Sequence, residues 1–553
     1  MDREKQNRLS AEWAAYGDAL GFMTELADAG RVQYRIGADQ VENTVPWRRK
    51  VGGYSGASVD FPAGSYSDDT QLRLSTSRSI RADGTFDVAA FAKVELTAWA
   101  NYALGAGIGS KEAASNLART SATWYSNFFD SKRASYLSAG GNGAAMRVQP
   151  HAWAARDLSD ERQVLLDVFR NSICTHGHPR GIIGACFHAC SLIFALREGR
   201  PARLLELNPM VEQLRSLSSL IQSDGDLRLF WLGAWEEASG TSFEEAAAVV
   251  LQEIEEDLAL LERFEGAQLP AIYVETLEAL GGYEPSSRGS GTKTAIIAAF
   301  AASLSDISDP RDSLLTIINA LGSDTDSIAT MAGSIIGACT NRECDGTIQD
   351  REYIQSEAIR LASVAERREV TSFRYPDLRS WKPARAAIDA IGVLEGKLWL
   401  SGLGQLEPLD RMMRTGADAM GWCQLPFGQT ILARIRSDPN PISPAQAGLA
   451  RSSEQAAGRD APPPPGKLRD LFGQGDPRSA ATSVKPDIQV GVEGLTLNEL
   501  LQKVVSEGFP AELIGRILLE QVDSGAKDFA ERGIALTANI LTAYEARSRR
   551  RRR

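Results

Sequence analysis

The stretch YSDDTQLRL, Tyr66 to Leu74, sets two adjacent aspartates between two hydroxyl residues at the start of what its pattern predicts to be a helix. A serine, threonine or aspartate ahead of an apolar-periodic run supplies an N-cap oxygen for the helix's first free N–H groups. One cap accounts for one residue. It leaves two neighbouring carboxylates whose burial is costly unless something compensates their charge. A second stretch of the same kind, LGSDTDSIATMAGSIIGAC, carries Asp324, Asp326 and Ser327 ahead of another small-residue helix. Helices rich in Ala and Gly pack closely, so both acidic starts are expected near a helical interior. Hard divalent cations prefer oxygen ligands, and their charge cancels carboxylate repulsion. The two clusters therefore read as halves of one oxygen-lined cation site.

Around them, residues 10–345 read as mostly helical. Apolar residues recur at three and four in IIGACFHACSLIFALREG, and 247–265 forms an amphipathic helical pattern. Gly17 with Gly21, and Gly333 with Gly337, fall four apart, which lets helix backbones approach closely. An all-α, compact orthogonal domain is expected. Beyond it, residues 346–436 alternate short apolar runs with Gly and Pro, and predict a small mixed module with a few strands. Residues 437–489 are rich in Pro, Gly and Ser, the composition of a disordered linker. Residues 490–548 regain helical periodicity, with Thr496 and Glu499 spaced as a capping box, and 549–553 are a run of arginine.

Composition excludes several classes. The 553 residues suit two to four units, and 43% hydrophobic with 24% charged is a globular balance. A net charge of -11 is a poor basis for phosphate-backbone contact, so a nucleic-acid partner is not expected. The six cysteines form no CxxC pair, and the charged N-terminus has no apolar signal segment. No run is long enough to predict a membrane span. The expected compartment is the cytoplasm.

Three more segments bear polar groups in helical or glycine-rich settings. In YGDALGFMTEL, Asp18 and Glu25 are seven apart and share a helix face. In SAGGNGAAMRVQP, glycines around Asn142 make a loop whose backbone can approach a ligand, with amides suited to a pyrophosphate. CTHGHPRG holds His176 and His178, read as hydrogen-bonding or turn residues rather than metal ligands. His151 and His188 lie in apolar helical surroundings and read as structural.

In this order, GDALGFMTE, SDDT, GNGAAMR, THGHP and GSDTDS resemble the ADP-ribosylglycohydrolase family, which includes the dinitrogenase reductase-activating glycohydrolases and the ADP-ribosyl-acceptor hydrolases. The resemblance implies an all-α fold with two Mg2+ or Mn2+ ions, and hydrolysis of the bond between ribose C1″ of ADP-ribose and an acceptor. It assigns Ser67, Asp68 and Asp69 to one half of the metal site, and Asp324, Asp326 and Ser327 to the other. Ser327 stands where many members have threonine. Glu25 and Asp69 are the residues it assigns to catalysis. Gly141, Asn142 and Gly143 match the loop around the diphosphate and ribose, and His176 matches a histidine of the same pocket. Asp18 is expected to support the metal site. The expected substrate is an ADP-ribosylated protein or small molecule. A free ADP-ribose derivative or other N-riboside, or a non-catalytic ADP-ribose-binding module, are the alternatives. The C-terminal helical unit, too small for a large core of its own, is expected to seek a protein partner, a second copy or the catalytic domain.

Overall fold

Glycines decide the central contact. Helix Arg3–Thr24 runs against helix Thr325–Cys339, and each offers glycine where the other's backbone comes nearest. A Cβ on Gly17 would lie 2.5 Å from the Ala329 carbonyl oxygen, and one on Gly21 2.4 Å from the Asp326 Cα. Gly333 and Gly337 return the contact, with Cβ positions 2.5 Å from Trp13 O and 2.6 Å from Leu9 O. The spacing seen in the sequence thus becomes one helix–helix seam. A second seam joins helix Pro179–Glu198 to helix Gly291–Ser303, where a Cβ on Gly184 would meet the Gly291 carbonyl carbon at 2.3 Å.

The structure is a computed structural model and describes residues 2–51, 56–415, 418–449, 497–523 and 529–551. Helix ends follow local chemistry. Asp2 caps the first helix by accepting from Lys5 N at 2.8 Å. Pro179 opens its helix at a position that needs no N–H donor, and Gly199, at φ 68°, closes it. That helix is the one, among the described residues, long and apolar enough to cross a membrane, and 89% of its apolar window is buried inside the protein. Its apolarity is that of a core helix.

The helical region is not purely α. Trp47–Val51 and Ala57–Phe61 form an antiparallel hairpin with Trp47 opposite Phe61. Trp47 and Val51 alternate with the charged Arg48 and Lys50, which is a strand period. Trp47 stacks on Phe61 at 4.7 Å and meets Phe22 of the first helix edge-on at 5.1 Å.

The other strands lie where they were expected. Ile391–Leu394, Lys397–Leu400 and Gly404–Gln405 make one sheet. In a second sheet Asp418–Gln424 pairs antiparallel with Glu407–Pro408, Met413–Thr415 and Thr430–Arg436. This region is fastened to the helices rather than hung from them. Trp422 Nε1 donates to Asp60 O (3.1 Å), Asn101 Nδ2 to Arg434 O (2.8 Å) and Thr430 N to Asp350 Oδ2 (2.7 Å). One core runs from Leu9 to Ile435. Residues 437–449, placed in the linker from composition, are tied down as well. Ile442 N donates to Val393 O (3.0 Å), and Gln446 O accepts from Trp381 Nε1 (3.0 Å).

The chain divides into two compact units, Met1–Ala450 and Arg451–Arg553. The second holds helices Leu497–Ser506, Ala511–Asp523 and Phe529–Arg551 around Leu500, Val504, Leu513, Ile517, Leu536 and Ile540. Its first two helices are parted by Gly508, at φ 85°. Thr496, the rest of the expected linker, and Arg552 and Arg553 lie outside the described residues.

Candidate active site

Asp18 is the organising residue of the first acidic cluster. It is fully buried in helix Arg3–Thr24. Its Oδ1 accepts from Ser67 N (2.9 Å), and its Oδ2 from Thr70 N (2.9 Å) and Thr70 Oγ1 (2.5 Å). One carboxylate thus satisfies two N–H groups at the start of helix Asp68–Arg78. Ser67 caps the same helix, its Oγ accepting from Asp69 N at 3.2 Å. Arg73, one turn in and buried, donates to Thr70 Oγ1 (2.6 Å) and Thr330 Oγ1 (2.6 Å). Thr330 donates to Ala14 O at 3.0 Å, so three helices are tied through this group. Asp68 and Asp69 are left to face a cavity of about 460 Å³.

The second cluster comes from the start of helix Thr325–Cys339. Thr325 Oγ1 donates to Gly21 O (3.0 Å), which fixes it against the first helix at the glycine seam. The flanking Asp324 and Asp326 line the same cavity as Asp68 and Asp69, together with Ser327. Ser327 N donates to Asp326 Oδ1 at 3.0 Å. Ser67 does not line the cavity, and it is completely buried.

Burial pushes Asp68, Asp69 and Asp326 well above the usual carboxylate range, and Asp324 upward too. Neighbouring carboxylates add to this: Glu25 on Asp68 and Asp326, Asp18 on Asp69. Arg73 works against it at Asp69. Asp69 Oδ2 is buried with no hydrogen-bond partner. That orphaned oxygen, within a group of like charges, is the kind of site that a divalent cation fits. Among the described residues, no three His, Cys, Asp or Glu side chains already stand as a closed ligand set. The carboxylates face the cavity from separate helix starts, and the hydroxyls are the other donors at hand.

Glu25 lies at the C-terminal end of the first helix and lines the cavity. Its Oε2 accepts from Arg49 Nη1 at 2.7 Å, and Arg49 lies over the Phe22 ring at 4.8 Å. Sequence reasoning missed Arg49. The signal was its place in the alternating WRRKV strand, on the side of the buried Trp47.

The glycine loop also reaches the cavity. Asn142 N donates to Gly289 O (2.9 Å), and its side-chain Nδ2 to Asp324 Oδ2 (2.8 Å) and Thr294 Oγ1 (3.2 Å). The side chain therefore steadies a carboxylate, a role that a reading of the loop as a backbone cradle does not supply. Gly141 and Gly143 line the cavity beside it. His176, 3% exposed, joins them. Burial, with Arg147 nearby, holds its ring neutral by lowering the pKa to about 3. His178 caps helix Pro179–Glu198, its Nδ1 accepting from Arg180 N at 3.1 Å. His151 and His188 are buried beside Asn171 and Gln149 and do not line the cavity.

The family model of ADP-ribosylglycohydrolase matches residues 13–364, which carry every side chain named above. The chain belongs to the ADP-ribosylglycohydrolase family. As a member, it is a glycosidic-bond hydrolase of ADP-ribose-linked substrates. The ADP-ribosylglycohydrolase match runs to the end of helix Arg351–Ala365, past the break expected at 345. A comparison with curated proteins finds no match. Among solved structures, a chain described as "ADP-ribosylglycohydrolase-related protein complex" is 18% identical, covering 66% of this chain and 99% of that one, with a TM-score of 0.39. So loose an overlay carries no further argument.

Proposed function

We propose that this protein hydrolyses the bond between ribose C1″ of ADP-ribose and an acceptor on a protein or small molecule, releasing ADP-ribose. The supporting observation is Asp69, whose buried carboxylate oxygen has no partner amid four cavity-lining aspartates. Asp68, Asp69, Asp324 and Asp326 would hold two Mg2+ or Mn2+ ions with the Ser327 hydroxyl. Ser67, which does not line the cavity, would serve the site by capping the helix that presents Asp68 and Asp69 to it. Bound there, the ions supply the charge that orients ribose hydroxyls and lowers the pKa of a water.

The chain's own groups do the rest. Asn142 fixes the orientation of Asp324 by donating to its Oδ2. The backbone around Gly141 and Gly143 lets a diphosphate approach closely. Glycosidic cleavage builds positive charge on the ribose, and a carboxylate at the cavity edge stabilises it. Glu25 is the residue proposed for that task, with Arg49 setting its position. A cytoplasmic setting is proposed with it; the six cysteines are buried and unpaired.

The test uses the full chain with a panel of defined ADP-ribosylated acceptors, with Mg2+ and then with chelator, and measures released ADP-ribose. Release that depends on Mg2+ is expected from at least one acceptor. Binding of ADP-ribose without release from any of them would leave a reader module in place of a hydrolase.

A further inference from the structure

Behind His176 lies a buried chain of hydrogen bonds that the site does not otherwise use. Arg147, completely buried, donates from Nε to Asn171 Oδ1 (2.8 Å) and from Nη2 to Asn171 O (2.9 Å) and Thr175 Oγ1 (2.8 Å). A guanidinium can only donate, so the Thr175 hydroxyl accepts. Its single proton has two acceptors in reach: His176 Nδ1 at 2.7 Å and Ser172 O at 3.4 Å. The shorter bond is the stronger, and donation from the guanidinium polarises the hydroxyl toward giving its own proton away. On the far side of the ring, a Cβ on Gly143 would stand 3.3 Å from Nε2 and 3.1 Å from Cε1. The missing side chain leaves room at that edge of the ring, beside the loop, and the Ser110 hydroxyl, 2.8 Å from the same Cβ position, borders it.

The geometry points to Arg147 and Thr175 as positioning residues that fix the proton of His176 on Nε2, so that the ring offers an N–H to an anionic oxygen of a diphosphate ligand. This rests on the reading of the cavity as an ADP-ribose site. With Nδ1 occupied as an acceptor, the neutral ring carries its proton at Nε2. The opposite tautomer would turn a lone pair toward the ligand's oxygen. A neutral donor also binds the diphosphate without adding positive charge near a site built for cations. Burial and the fixed charge of Arg147 keep the ring in that neutral form.

The protein has four histidines, which makes the tautomer directly readable. Full-length protein labelled with 15N-histidine is examined by long-range 1H–15N correlation at neutral pH, with His176 identified by its loss in His176→Asn. A protonated Nε2 and unprotonated Nδ1 are expected. Thr175→Val should move the proton wholly or partly to Nδ1 and weaken ADP-ribose binding about tenfold, the scale of one hydrogen bond to a charged group. Thr175→Ser should restore both. A protonated Nδ1 in the wild type overturns the assignment, and so does an unchanged tautomer in Thr175→Val. The wild-type spectrum decides even if the valine variant does not fold. An Nε2–H ring in a protein that neither binds nor releases ADP-ribose would sink the proposed function and leave the tautomer assignment standing.

Discussion

One helix, Asp68–Arg78, buries charge at both ends with opposite outcomes. At its C-terminal end the Arg78 and Glu95 side chains are completely enclosed, and Arg78 meets Glu95 through Nε–Oε1 (2.8 Å) and Nη2–Oε2 (2.7 Å). Arg78 Nη1 also donates to Tyr353 OH (3.0 Å) and Gln429 Oε1 (2.7 Å), while Tyr375 OH donates to Glu95 Oε1 (2.6 Å). The Phe427 ring lies 4.8 Å from the guanidinium. At its N-terminal end, Asp68 and Asp69 face more carboxylates and an oxygen goes unpaired. Charge that holds the fold together is surrounded by partners. The cavity's charge, which we propose holds a ligand, is left short of them, and the fold tolerates the cost.

Breaking the acidic cavity and the Arg78 end should give opposite losses. Asp69→Asn or Asp324→Ala should lower hydrolysis on the order of 10³-fold or more, as expected when one ligand of a metal site goes. Without metal, the melting temperature of these variants should match or exceed the wild type, because a repulsion is removed. A variant that keeps wild-type turnover in chelator-treated, Mg2+-restored buffer would reject the assignment. Arg78→Met should do the reverse. It strands the Glu95 carboxylate and should cost about 3–5 kcal/mol of stability by chemical denaturation.

Smaller effects sharpen the contrast. Mg2+ or Mn2+ at about 100 times its Kd should stabilise the wild type by about 2.7 kcal/mol and leave Asp324→Ala unmoved, as read by thermal melts. A shift of equal size in both proteins would place the cation elsewhere. A pH effect follows from His188, whose pKa burial lowers from 6.5 to about 3. The native state resists a proton that the unfolded chain takes up. Its contribution is therefore full above about pH 6.5 and is lost as pH falls toward 3. His188→Gln should flatten stability against pH over that window relative to wild type in the same buffer. Smallest of all, removing residues 451–553 should leave turnover within about twofold, since every cavity residue lies in the first unit. A folded but inactive truncation would show that the second unit completes the site.

The sequence was most readable where spacing alone carries the physics. Glycines four apart predicted close helix contact because nothing but a bare Cα fits there, and the Gly17, Gly21, Gly333 and Gly337 seam is that contact. SDDT and DTDS were readable because two aspartates exceed the needs of one cap. What escaped depends on the third dimension. Asp18 was expected to support a metal site, but the sequence could not show its bonds to two N–H groups 49 and 52 residues away, at the start of the helix that carries Asp68 and Asp69. Arg49 sits on a hairpin too short and too charged to stand out in a helical region. The stretch 437–449 has a linker's composition, but its backbone bonds to Val393 and Trp381 belong to the fold.

The Gly21 contact has a consequence for how such an enzyme can change. The bare Cα of Gly21 lies against the backbone of Asp326, so the spacing between two helices also sets how Asp326 stands to Glu25 at the end of the first. It works as a caliper set by a missing side chain. Exposed residues that line the cavity, such as Ile108 at the start of helix Ile108–Leu117 and Arg133 on a loop, take no part in that contact. Substitutions there can reshape what enters while the caliper stays at its setting. A single methyl at Gly21 would move Asp326 against the first helix, so the chemistry proposed for the cavity is tied to this contact while the choice of acceptor is not.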